Sequence, residues 1–130
     1  MILLDTNICI GILHANNVVL SHVRNASEPL AIPGMVQGEL YYGVEKSDFP
    51  ERNLARTQNL LRNLPVYHTN DEIMRRFGRI KAEQERNGTK VDDADVLIAA
   101  TAIELGATLA TGNIRHFSRF PDLKYVNWMA

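Results

Sequence analysis

The sequence predicts an α/β fold built on a parallel sheet, and three features predict it. Short apolar segments without polar alternation, Ile2-Leu3-Leu4, Leu30-Ala31-Ile32 and Thr108-Leu109-Ala110, suit strands buried on both faces. Longer stretches with helical spacing and recognisable caps alternate with them. No internal repeat, low-complexity tract or linker interrupts the 130 residues, a length suited to one domain spanning 1–130 with one core.

Taken in order, Ile2-Leu3-Leu4 is the first strand, followed by helix from Thr6 to about Ala15 and again over roughly Asn17 to Ala26. Leu30-Ala31-Ile32 is the second strand, broken by Pro33-Gly34. Helix resumes over Met35 to Lys46, is ended by Asp48 or Pro50, and restarts over Glu51 to about Asn63. Pro65-Val66-Tyr67 is a weak third strand. Asn70 can cap a long charged helix that ends near Gly88. Asp92 can cap another over Asp93 to Leu105, closed by Gly106. Thr108-Leu109-Ala110 makes a fourth strand and Lys124-Tyr125-Val126 a fifth candidate.

Composition excludes several classes of function. No run of roughly twenty apolar residues is present, so no membrane span is expected. The opening Met1-Ile2-Leu3-Leu4-Asp5 lacks the basic segment of a secretory signal. One cysteine, Cys9, rules out an internal disulfide framework and a cysteine-built zinc cage. A reducing, cytoplasmic setting fits that usage. The net charge of −1 provides no global basic field, so any nucleic-acid contact must come from a local patch.

The informative residues are acids. Ligands of open parallel sheets bind at the carboxyl ends of the strands, and Asp5 closes the first strand. It is either a carboxylate aimed into that crevice or a helix cap, with Thr6 and Asn7 as rival caps. Glu39 shares a helical face with Val36, Leu40 and Gly43. A carboxylate on an apolar face is costly unless paired or bound to metal, although its head can also reach solvent from the edge of the stripe. Asp95 lies in the first turn of a helix that is apolar nearly all round, on the face of Ile98, Ala99 and Ala102. Asp92 and Asp93 read mainly as N-terminal caps. Thr111-Gly112-Asn113 follows the fourth strand, where Asn113 offers a neutral oxygen or simply marks a turn. Carboxylates crowded together repel, and a hard divalent cation resolves the repulsion. Oxygen ligands with no Cys or His cluster select Mg²⁺ or Mn²⁺.

Four segments, in order and at matching separations, make the chain resemble PIN-domain ribonucleases, in particular the VapC toxins of prokaryotic toxin–antitoxin pairs. They are Leu3-Leu4-Asp5-Thr6-Asn7, Gly38-Glu39-Leu40-Tyr41-Tyr42-Gly43, Asp92 through Ala100, and Thr111-Gly112-Asn113-Ile114-Arg115-His116-Phe117, with the closing Asn127-Trp128 in support. The resemblance spans nearly the whole chain. It implies a three-layer α/β/α sandwich around a central, mainly parallel sheet of four to five strands. It implies an Mg²⁺- or Mn²⁺-dependent endoribonuclease, a small antitoxin partner and a homodimer. It puts metal ligation on Asp5 and Asp95, with Glu39 as a further ligand or as base for the attacking water. Asn113 stands where many members carry a further acid, which leaves a second metal open. Asp92 stands where many relatives have glycine or another small residue, so it is either a further ligand or a cap.

Around these acids, Thr6 can hydrogen-bond a ligand water or phosphate, or cap its helix. Arg115, two residues past Asn113, is the cation best placed by position to meet RNA. Arg75, Arg79 and Arg86, interleaved with Glu72 and Glu83, read as a solvated helical face. His116 and Phe117 suggest base stacking, with Phe117 the better candidate for core. His14, His22 and His68 show no ligand spacing, and Cys9 reads as a buried thiol. Tyr41, Tyr42 and Phe49 form either an exposed sticky surface or core. Two other readings compete. A receiver-like phosphoacceptor domain needs adjacent acids near the first strand, where this chain has Asp5 alone. A catalytically inactive RNA- or protein-binding scaffold has no need of Asp5, Glu39 and Asp95 together.

Overall fold

The computed structural model describes residues 1–130. Five strands and seven helices follow in the order β1 (Ile2–Leu4), α1 (Thr6–Leu13), α2 (Asn17–Asn25), β2 (Leu30–Pro33), α3 (Gly34–Lys46) and α4 (Pro50–Asn63). The second half adds β3 (Val66–Tyr67), α5 (Asp71–Arg86), α6 (Asp93–Glu104), β4 (Thr108–Thr111), α7 (Ile114–Phe117) and β5 (Lys124–Asn127). The strands form one sheet in the order β3-β2-β1-β4-β5, and every pairing is parallel. Helices flank it. Helices α1 to α4 pack among themselves, and α5, α6 and α7 form a second group. No helix is long and apolar enough to cross a membrane.

Strand order decides where a site can lie. The chain winds from β1 outward through β2 and β3, then returns to place β4 on the other side of β1. The switch point therefore falls between β1 and β4, and ligands of such sheets bind outside the carboxyl ends at that point. Asp5 follows β1 and Gly112-Asn113 follows β4, so both border the crevice. A receiver-type sheet has the order 2-1-3-4-5, so topology removes that competing reading.

The central strands are buried because they carry apolar side chains on both faces: Leu3, Leu4, Ile32, Leu109 and Ala110 belong to the core. Helix α6 is packed on most of its surface, through Val96, Ile98, Ala99, Ala100 and Ala102. Helices α1 and α2 approach closely at Gly11, where a Cβ would stand 2.8 Å from a methyl of the buried Val19. β5 is an exposed edge strand. Beyond it the chain returns over the end of β4: Trp128 N–H donates to the Thr111 carbonyl, and the Trp128 ring stacks on His22 at 5.4 Å. The Met129 side chain fills the space a Cβ on residue 112 would need, which is why a glycine stands there.

Two details differ from the sequence expectation. Pro33-Gly34 is a direct strand-to-helix junction, with Pro33 still paired in β2 and α3 starting at Gly34. Helix α7 is unforeseen, because four residues are too few to show a helical period.

Candidate active site

Asp5 serves as cap and buried carboxylate at once. Its Oδ1 accepts from the Thr6 N–H at 2.8 Å, capping α1. Its Oδ2 accepts from the Thr111 hydroxyl at 2.7 Å, while its own N–H donates to the Ala110 carbonyl. The side chain is buried, and burial pushes its pKa above the usual carboxylate value. The two hydrogen bonds oppose that rise, and the nearby Asp95 charge adds to it.

Glu39 is half-buried at the margin of the α3 stripe. Val36 and Leu40 turn inward, while Gly43 is exposed, so the apolar face is narrower than its sequence spacing suggests. Its Oε1 accepts from the Thr6 hydroxyl at 2.6 Å. Burial raises its pKa, the Thr6 bond opposes, and Asp5, Asp95 and Asp92 raise it further. Helix α3 meets α6, which explains that mutual influence.

Asp95 sits in the first turn of α6 with a largely covered side chain. Its Oδ2 lies 3.0 Å from His116 Nδ1. Asp92 is exposed and caps α6 by accepting from the Ala94 N–H, and Asp93 pairs with Lys81 at 3.0 Å. The Asn113 N–H donates to Thr111 Oγ1, and its side chain makes no capping bond. Arg115 is exposed and forms no ion pair, so it lies near the acids in sequence without touching them.

The structure thus brings Asp5, Glu39, Asp95, Thr6 and Asn113 to one edge of the sheet. Sequence reading missed two members. Thr111, read only as part of a turn, is fully buried and links Asn113 to Asp5. His116, read for stacking, contacts Asp95 instead. Phe117 is core. Cys9 is buried below the site; burial and the Asp5 charge push its thiol up to about 12, so it stays protonated and inert. The only signal for Thr111 was a hydroxyl at a strand's carboxyl end, opposite an acid in the same position on the neighbouring strand.

These residues suit a divalent cation. No lysine or arginine pairs with Asp5, Glu39 or Asp95, and the one basic side chain that touches any of them is His116, against Asp95. The donors are all oxygens, the set that selects Mg²⁺ or Mn²⁺. No three acid, His or Cys side chains are drawn tightly enough to form a preassembled cage. Each carboxylate is held by its own hydrogen-bond donor, so an ion among them would keep several of its waters.

Removing the buried donor tests how Asp5 is held. Thr111→Val should destabilise the protein by about 1–3 kcal/mol in urea denaturation, because Asp5 keeps its burial and loses a partner. Thr111→Ser should retain most of the stability. Equal stability of Val and Thr variants would show that the bond contributes nothing.

Fold and site together define a class. Residues 2–123 match the PIN domain family model, and the chain belongs to that family. It is 34% identical to the ribonuclease VapC2 of Haemophilus influenzae, over 98% of this chain and 97% of that protein. It is equally 34% identical to the tRNA(fMet)-specific endonuclease VapC of Salmonella typhimurium, covering 97% and 96% of the two chains. Among solved structures, VapBC2 from Rickettsia felis bound to a DNA fragment from its promoter superposes with a TM-score of 0.86. The two are 34% identical, over 98% of this chain and 99% of that one. DNA-bound VapBC from Salmonella typhimurium gives 0.88, at 34% identity over 98% and 97%.

Proposed function

We propose that this protein is a Mg²⁺- or Mn²⁺-dependent endoribonuclease, the toxin of a type II toxin–antitoxin pair. The observation that carries the reading is the acid group at the switch point, which no lysine or arginine pairs: Asp5 buried between β1 and β4, with Asp95 and Glu39 close enough to influence its charge or be influenced by it. The VapC names of the full-length relatives support the substrate class.

In this reading Asp5 and Asp95 hold the ion, and Glu39 is a further ligand or accepts a proton from the attacking water. A divalent ion bound there supplies a water of lowered pKa and stabilises charge building on the phosphoryl oxygens. Thr6 orients Glu39 through its hydroxyl, and Thr111 fixes Asp5. Asn113 offers a neutral oxygen at the crevice. Asp92 caps α6 and adds only its field to Glu39. Arg115, exposed at the rim, meets the RNA backbone.

The antitoxin and a second copy need surface, and α1, α3 and the start of α4 provide some. Tyr42 on α3 and Phe49 at the start of α4 are 63% and 59% exposed, and Ile10 on α1 and Tyr41 on α3 are 42% and 36% exposed. A groove lined by Ile10, Leu40, Val44, Arg56 and Thr57 reaches Glu39. An antitoxin segment in it would cover Glu39, and the protein would work as a homodimer. A free thiol and the absence of disulfides fit a cytoplasmic setting.

The test is cleavage of structured RNAs, including tRNA(fMet), with Mg²⁺, Mn²⁺ or EDTA. We expect metal-dependent cuts that EDTA abolishes and that Asp95→Asn lowers by at least about 10²-fold without unfolding the chain. Metal-dependent cutting by Asp95→Asn at the wild-type rate would sink the site assignment. No cutting under any condition would favour the inactive scaffold.

A further inference from the structure

We infer that His116 is a positioning residue for Asp95, pinning one carboxylate oxygen so that the other is presented to the divalent ion. The inference rests on the nuclease reading above and deepens it. Nδ1 of His116 lies 3.0 Å from Asp95 Oδ2. An ionised carboxylate only accepts, so Nδ1 carries the hydrogen, and Oδ1 remains free for ligation. Metal-ligating groups are commonly held by such outer partners, whose loss weakens metal binding.

The imidazole is carried on a fixed mount. Phe117, the next residue, is fully buried against Phe120, with ring centroids 6.1 Å apart. At the other end of α7, the Asn113 N–H is held by Thr111, the same hydroxyl that binds Asp5. The three acids are therefore each held by a donor from another residue: Asp5 by Thr111, Glu39 by Thr6 and Asp95 by His116. His116 itself is half exposed, with 48% of its side chain accessible, so its replacement should leave the core intact.

Geometry supplies a discriminating test. The amide nitrogen of an asparagine reaches about where Nδ1 stands, and that of a glutamine about where Nε2 stands. Mn²⁺ binding to the whole chain is measured by calorimetry, alongside RNA cleavage across a Mn²⁺ titration. His116→Ala and His116→Gln should each bind Mn²⁺ roughly tenfold or more weakly, with the maximal rate recovered at saturating Mn²⁺. His116→Asn should restore binding toward the wild type. Wild-type Mn²⁺ affinity in His116→Ala would overturn the inference. So would rescue by glutamine and not asparagine, which would make Nε2 the working nitrogen and RNA its target. Mn²⁺ binding without cleavage by the wild type would count against the nuclease reading alone, and the calorimetric series would still decide the role of His116.

Discussion

Asp5→Asn should abolish RNA cleavage, by at least about 10²-fold, and should raise the melting temperature of the metal-free protein at neutral pH by about 3 °C. The second effect follows from the first residue's surroundings. Burial raises the Asp5 pKa against the pull of its two hydrogen bonds, and Asp95 raises it further. A carboxyl group whose pKa is higher folded than unfolded holds more protons in the folded state between those two values. Stability therefore falls as pH rises through that window and stays lower above it. Glu39 shifts in the same direction and adds to the slope. Asparagine keeps the shape, has no charge to bury and keeps one oxygen to accept from the Thr6 N–H, while its amide N–H must donate to the Thr111 hydroxyl oxygen where the carboxylate accepted from it, an exchange that offsets part of the gain. The gain should vanish at pH values below the window, where aspartate is protonated in both states. Added Mn²⁺ should raise the melting temperature of the wild type and leave Asp5→Asn unmoved, because only the wild type gains a ligand in its folded state. A metal-free Asp5→Asn that melts below the wild type at neutral pH would show that the charge is satisfied within the chain.

Phe117→Ala should cost about 3–5 kcal/mol in urea denaturation, the range for emptying a large, fully buried aromatic site. It should also lower cleavage well below the temperature of unfolding. Phe117 is the buried anchor of α7, the segment that carries Arg115 and His116 and follows directly on Asn113. Loosening it releases the Asp95 partner without touching an acid. Phe117→Leu, which retains most of the volume, should lose less of both. A Phe117→Ala protein that is destabilised yet cuts RNA at the wild-type rate would show that α7 is a support for the core and not for the site.

How far the site could be read from the chain depends on the range of the interaction involved. The strand character of Ile2–Leu4 and Thr108–Thr111 follows from apolar runs, and the start of α6 follows from an aspartate that bonds two residues ahead. Those are local rules. Glu39 was visible as an acid on an apolar face, although its exposed neighbour Gly43 shows how spacing overstates the width of that face. Thr111 and His116 were not visible, because each works on a partner far along the chain, 106 residues away for Asp5 and 21 for Asp95. Neither threonine nor histidine has a local signature for that task.

The sequence by itself determined the parallel α/β class, the burial of the central strands and the caps of α5 and α6. Each depends on side-chain polarity within a few residues, and that is written along the chain. Only the tertiary structure decided that β4 lies beside β1, and hence that Asp5 is buried under a hydroxyl from the far end of the protein. Only it decided that Asp95 has a histidine partner and that Asp92 remains an exposed cap. The physical reason is that a carboxylate's charge state and orientation depend on what surrounds it in space, and the neighbours that matter here arrive from other strands and helices.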